Sequence, residues 1–208
     1  MEDIFDLSVS KKEHEFVRNG LALELDVSAD MAETFCEIPY IGSLIKLGKV
    51  GSKFQELHFV RKVAKFLEKE MDIPEKEKEK FLNNLTPKRR KKLYEYLTYY
   101  LLRAEDDAKA DIMGYVYKER ISGLIDDEMF LRLCSIVDKV FVFDLRTLPE
   151  YVEKNTESSI AANNFINLGL IDNFVGGLWV GEPSYELNET GLALHRILDT
   201  NGWYKIDV

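Results

Sequence analysis

Five consecutive cationic side chains form the clearest candidate binding run in the sequence: Lys88, Arg89, Arg90, Lys91 and Lys92. Lysine and arginine head groups bind phosphates and carboxylates, and nearby tyrosines could stack on bases. Thr86 and Pro87 precede the run as an N-cap and a first-turn proline, so the cations open a predicted helix. Cations at that end oppose the helix dipole, which neighbouring glutamates can offset. The run is a candidate anion-binding site, but we favour the interpretation as a solvated charged face.

A second group with possible chemistry is acidic: Glu105, Asp106 and Asp107, with Asp111 one turn further on. Carboxylate oxygens are the ligands that Mg²⁺ and Ca²⁺ prefer. Adjacent residues on a helix face different directions, however, and no histidine lies nearby in the sequence. We therefore interpret the group as a solvated helix end, and we predict neither a metal site nor a cofactor.

The stretch IPYIGSLIKLGKVGSKF, residues 38–54, suggests either a phosphate loop or a membrane-active segment. A phosphate loop of the G-x-x-x-x-G-K-[ST] type is excluded, because five residues separate Gly42 from Gly48 and Val50 replaces the required hydroxyl. Shallow insertion into an anionic membrane surface stays open, since lysines flank the apolar residues. The apolar spacing continues at helical period as far as Met71, so we favour a long core helix over residues 44–71.

No nucleophile or base stands out in the remaining sequence. The three histidines, His14, His58 and His195, lie in separate segments without ligand spacing. Cys36 and Cys134 lack an adjacent cation that would lower a thiol pKa. Motifs such as G-x-S-x-G, HExxH and GxGxxG are absent. The expectation is a protein that is not an enzyme.

The elements that must carry these residues are mainly helical. Helical periodicity is present in DIPEKEKEKFLNNL, in TPKRRKKLYEYLTYYLLRAEDD, from Ala108 to Arg120 and in DEMFLRLCSIVDKVFVF, and Asp126 or Asp127 is placed to cap the last of these segments. We predict a helical bundle over residues 1–152. A polar joint follows, and a small winged-helix-like α+β module is predicted over residues 157–208.

The predicted module contains a helix ending at Gly169, a glycine-rich hairpin, and a second helix capped by Asn188. It holds 2 basic and 7 acidic side chains, so DNA phosphates would repel it. The hairpin is apolar, which favours contact with another protein. We predict that Leu178, Trp179 and Tyr185 bind that partner.

Composition limits the setting and the partners. The net charge is −9, yet residues 37–103 hold 16 basic and 9 acidic side chains, so an anionic partner would prefer this middle third. Two distant cysteines, an acidic N-terminus and the lack of a long apolar run predict a cytoplasmic protein.

Residues 38–148 contain four segments in succession: the helix start IPYIG, the turn DIPEKEKEKFL, the run LLRAEDDAKADIMG and the helix FLRLCSIVDKVFVFDL. They resemble a poorly characterised family of bacterial helical proteins. The tail NFINLGLIDNFVGGLWVGEPSYELNETGLALHRIL resembles the ending of abortive-infection-alpha-type proteins, although Asn188 stands where that pattern has threonine. These are packing signatures, so they identify no site residues.

The resemblance implies an association with mobile elements and phage defence. From it we expect a non-enzymatic component of phage defence, or of counter-defence, that acts by binding another protein. One alternative is an abortive-infection effector that acts on membranes through residues 38–54. Another is a nucleic-acid-binding protein that uses residues 88–92, and self-association into a homo-oligomer also stays open.

Overall fold

The computed structural model describes residues 18–19, 53–69, 73–174 and 183–205. The chain divides into two compact units, Met1–Gly114 and Tyr115–Val208. This division lies inside a helix, whereas the sequence suggested a boundary between residues 152 and 157. Residues 38–52, which form most of the proposed membrane-active segment 38–54, lie outside the described residues.

Unit 1 contains α1 (Lys53–Glu68), α2 (Glu75–Asn84), α3 (Pro87–Arg103) and the first part of α4 (Asp107–Ile121). The predicted long helix is thus helical over its described central part and ends at Glu68. Helices α1 and α3 pack together. The most deeply buried apolar side chains of these two helices are Val63, Ala64, Phe66, Leu67, Leu97 and Leu101.

Gly114 sets the distance between α1 and α4. A Cβ atom at this position would lie 2.7 Å from the carbonyl oxygen of Phe66 and 2.9 Å from Cγ of Lys69. Only glycine leaves room for the backbone of α1 at this point, so the last turn of α1 lies directly on α4.

Unit 2 continues α4 and adds α5 (Asp127–Lys139), a 3₁₀ helix (Asp144–Tyr151), α6 (Ile160–Leu168) and the strands β1 (Ile171–Phe174) and β2 (Ser184–Leu187). It ends with α7 (Glu189–Thr200) and a short 3₁₀ turn (Trp203–Lys205). The strands pair antiparallel, with Ile171 opposite Leu187 and Phe174 opposite Ser184. The described chain is therefore mainly helical with one small antiparallel sheet, as predicted.

The polar segment after the first 3₁₀ helix is bonded into unit 2. Asn155 and Tyr185 exchange two backbone hydrogen bonds, at 2.9 and 2.7 Å. The hydroxyl groups of Tyr151 and Ser159 lie 3.1 Å apart. These bonds join Asn155 to β2 and the 3₁₀ helix to the start of α6, so the segment proposed as a joint between domains is part of the C-terminal unit.

The predicted helix ends agree with the local hydrogen bonds. Thr86 accepts a bond from the Arg89 N–H at 3.3 Å, and Asp126 accepts one from the Met129 N–H at 2.8 Å. Gly169 ends α6 with φ 70°, the left-handed conformation that glycine adopts without a Cβ clash.

Candidate functional site

A groove in unit 2 is formed by the turn between α4 and α5 and by one face of α7. Its volume is about 960 Å³. The turn and the adjoining helix ends contribute Arg120, Gly123, Leu124, Ile125, Asp126 and Met129. Helix α7 contributes Glu189, Leu192, Ala193, His195 and Arg196.

Two leucines give the groove its apolar surface. Leu124 is 62% exposed and Leu192 is 46% exposed. Gly123 precedes Leu124 with φ 74°, a conformation that glycine adopts readily and that turns the chain at this point. Large apolar side chains that line a groove and remain in water are typical of a surface that another molecule covers.

Several polar groups at the groove are engaged in contacts within unit 2. Arg120 donates to the Oδ1 oxygen of Asp127 from both Nε and Nη2, at 2.8 and 2.7 Å. Asp126 caps α5 through its bond with the Met129 N–H. These contacts fix the turn that carries Leu124, so the polar residues have a structural role at the rim.

His195 lies in the wall of the groove. The sequence alone gave this histidine no role. Its Nδ1 atom lies 3.0 Å from the hydroxyl of Tyr204. Burial raises the pKa of the Tyr204 phenol, and the charge of Asp199 raises it further. The hydrogen bond between the phenol and the imidazole holds the two side chains together.

The predicted partner-binding residues do not come together as a described surface. Leu178 and Trp179 lie outside the described residues. Tyr185 is only 5% exposed, so little of its ring is available to a partner. Side chains alternate between the two faces of β2, so Tyr185 lies on the same face as the buried Leu187. The sequence pattern therefore indicated that Tyr185 is buried.

The cationic run occupies the first two turns of α3. Lys88, Arg89, Lys91 and Lys92 are exposed, whereas Arg90 is half-buried. Arg90 donates from Nη2 to the carbonyl oxygen of Leu82 at 2.6 Å, and the Lys92 ammonium lies 5.5 Å from the ring centroid of Tyr96. Arg90 therefore ties α3 to α2, while anion binding by the run stays a prediction.

The acidic residues before and within α4 each have a partner in unit 1. Asp106 caps α4 by accepting the Lys109 N–H at 2.8 Å, and Glu105 lies 3.2 Å from the ammonium of Lys109. Asp107 pairs with Arg61 of α1 at 2.6 Å. Within the ranges that the structure describes, no group of three or more His, Cys, Asp or Glu side chains is placed to hold a metal ion.

Basic residues of α1, which contribute to the positive charge of residues 37–103, also pair with carboxylates. Arg61 is bound to Asp107, and Lys65 lies 3.5 Å from Glu68. Burial lowers the pKa of Lys62, although the charges of Asp107 and Asp106 act in the opposite direction. Part of the positive charge of the middle third is thus neutralised by carboxylates within unit 1.

No helix in the described part of the chain is long and apolar enough to cross a lipid bilayer. No protein-family model, curated protein or solved structure matches the chain. Function is therefore inferred from the residues and their geometry.

Proposed function

We propose that the chain is a non-enzymatic protein-interaction component of bacterial phage defence or counter-defence. The observation that carries the interaction role is the groove of unit 2, where the apolar side chains of Leu124 and Leu192 are exposed to solvent. The biological setting rests on the sequence resemblance alone. The two parts of the proposal therefore need separate experiments.

The chemistry of the groove supports binding of a protein. Arg120 and Asp126 fix the turn, and His195 is held by Tyr204, so these polar groups act as parts of the scaffold. The leucines supply the apolar area that protein interfaces bury at their centre. Exposed charged groups at the rim would give the contact its orientation.

The hairpin extends this proposal to a second surface. The order of α6, β1, β2 and α7 is compatible with a winged-helix-like module, which we propose as the finer description of this part of unit 2. Leu178 and Trp179 fall between the two strands in sequence, where a wing would be. They remain our proposed contact residues in that segment.

The interaction role is tested by affinity capture of the tagged full chain from its host, with mass spectrometry of the retained proteins. Leu124→Ser and Leu192→Ser should each reduce the amount of the captured partner. Ile160→Ser is the matched control, because Ile160 is 81% exposed and lies outside the groove lining. Trp179→Ala tests the hairpin separately. Identical capture by all variants would contradict the proposal.

The defence role is tested by phage plating on cells that carry or lack the chain. A defence component should lower plating efficiency, and a counter-defence component should raise it on a host that restricts the phage. The groove variants should lose either effect, whereas Ile160→Ser should keep it. Equal plating with and without the chain on a broad phage panel would contradict the proposed setting.

A further inference from the structure

One face of α7 carries two opposite charges on either side of apolar residues. Glu189, Leu192, Ala193 and Arg196 are separated by steps of three, one and three residues, which places them on the same side of a helix. All four line the groove. The charged residues at both ends are exposed to solvent.

Neither charge is satisfied within the described chain. Among the residues that the structure describes, the carboxylate of Glu189 and the guanidinium of Arg196 have no ion pair or hydrogen bond. This distinguishes them from Arg120 and His195 of the same groove, which are bound to Asp127 and Tyr204. The two charges are therefore available to a partner.

The four positions on this face of α7 are arranged symmetrically about their midpoint. Glu189 and Arg196 lie seven residues apart, about 10.5 Å along the helix axis. The midpoint falls between Leu192 and Ala193. A two-fold axis through this midpoint, perpendicular to the helix, would bring Glu189 opposite Arg196 of a second copy and Arg196 opposite its Glu189. Such a face is complementary to itself, as a two-fold interface requires.

We propose that the groove is a homodimer interface in which α7 packs antiparallel against α7 of a second copy. At the apolar centre, Leu192 packs against the same region of the other helix. The two helix axes are then about 8–10 Å apart, as is usual for packed helices. Leu124, on the neighbouring turn, extends the apolar contact. The inference rests on the proposed function, because it names the partner of the same groove.

The test uses charge reversal and mixing of full-length variants. Sedimentation velocity over a wide concentration range should show a monomer–dimer equilibrium for the natural chain. Glu189→Arg and Arg196→Glu should each raise the dimer dissociation constant by about tenfold or more, since every homodimer then contains two like-charged contacts. Glu150→Arg, an exposed reversal outside the groove lining, should leave it unchanged.

Mixing the two single variants gives the decisive result. In a mixed dimer, the Glu189→Arg copy presents two cations at positions 189 and 196. They face the two carboxylates that the Arg196→Glu copy presents at positions 196 and 189. The two variants should therefore associate with each other more tightly than either associates with itself. Rescue by mixing also shows that both variants fold, and a chain carrying both reversals should likewise regain dimerisation.

Three results would overturn the proposal: a natural chain that stays monomeric at all concentrations, single reversals that do not weaken the dimer, or variants that fail to rescue one another. Capture of a different protein by a monomeric chain, with loss in Leu192→Ser, would overturn the homodimer and leave the proposed interaction function standing. A natural chain that neither self-associates nor captures another protein would contradict both the homodimer and the proposed interaction function.

Discussion

The Nδ2 atom of Asn188 donates a hydrogen bond to the carbonyl oxygen of Gly169 at 3.0 Å, which ties the start of α7 to the end of α6. The same side chain accepts the Gly191 N–H at 3.1 Å through Oδ1. Its Nδ2 also lies 3.3 Å from Oδ1 of Asp172. One amide therefore serves as a helix cap and as a bridge between elements, which exceeds the usual role of a cap.

Asn188→Asp should destabilise the protein. Aspartate keeps the cap acceptor, but it loses both donated hydrogen bonds and places a carboxylate beside Asp172. We expect the free energy of unfolding to fall by about 1–3 kcal/mol, because two hydrogen bonds of about 0.5–1.5 kcal/mol each are lost. Urea denaturation measures this change.

Asn188→Thr is the control for that experiment, because threonine also caps and adds no charge. Its loss should be smaller, at about 1 kcal/mol. Adding Asp172→Asn to Asn188→Asp should recover part of the stability. Equal stability of Asn188→Asp and the natural chain would show that the bridge to Gly169 contributes nothing measurable.

Gly191→Ala should destabilise unit 2 even though alanine favours helices. A Cβ at this position would collide with the carbonyl oxygen of Leu170, and the obstacle is backbone that cannot rotate away. We expect the free energy of unfolding to fall by about 1–3 kcal/mol, typical of overpacking, measured by urea denaturation.

Ala193→Gly in the same helix is the control for helix propensity and should cost about 1 kcal/mol. If Gly191→Ala stabilised the protein instead, propensity would dominate and the proposed collision would be wrong.

Local sequence predicts local structure well in this protein. The cap bonds of α3, α5 and α7 each join residues three apart, so residue type and spacing were sufficient to place these helix starts. Two-residue alternation in β2 likewise carried the information that Tyr185 is buried. The prediction that Tyr185 binds a partner rested on the apolar character of the hairpin, which does not show which face of β2 is buried.

The groove was beyond local reasoning. Leu124 and Leu192 are far apart in sequence, and each belongs to a pattern that local reasoning treats as a turn or an ordinary helix. Helical periodicity shows that Glu189 and Arg196 share a face. It does not show whether that face meets the core, a partner or water, because burial depends on elements distant in the chain. The ion pair of Arg61 with Asp107 was hidden for the same reason.

Asp111 should make stability depend on pH. Its carboxylate is 3.0 Å from the Lys69 ammonium, and both side chains are mostly buried. Burial raises the Asp111 pKa above its ordinary value of 3.8, and the charge of Lys69 opposes this only in part. The folded state therefore keeps its proton to higher pH than the unfolded chain does.

The consequence for stability follows from proton linkage. Because the folded state binds more protons, the stabilising contribution of this group is complete below pH 3.8 and is lost as pH rises through the raised folded pKa. The difference in unfolding free energy between the natural chain and Asp111→Asn should fall by at most about 1.4 kcal/mol per pH unit in that window. Urea titrations at a series of pH values measure the difference.

Lys69→Met provides a second measurement of the same group. Since Lys69 lowers the Asp111 pKa, its removal should extend the pH-dependent window upward. A difference between the natural chain and Asp111→Asn that does not change with pH would contradict the raised pKa.

Cys134 should behave as an inert thiol in the folded protein. It lies in α5 with no exposed surface, and burial raises its pKa well above the ordinary value of 9.0. The thiolate is the reactive form, so both its scarcity and its inaccessibility block modification. In a Cys36→Ser background, which leaves one thiol, a disulfide exchange reagent should react at a rate that follows the unfolded fraction as urea is added. Fast reaction without urea would instead reveal local opening around α5, and comparison with the global unfolding curve separates the two outcomes.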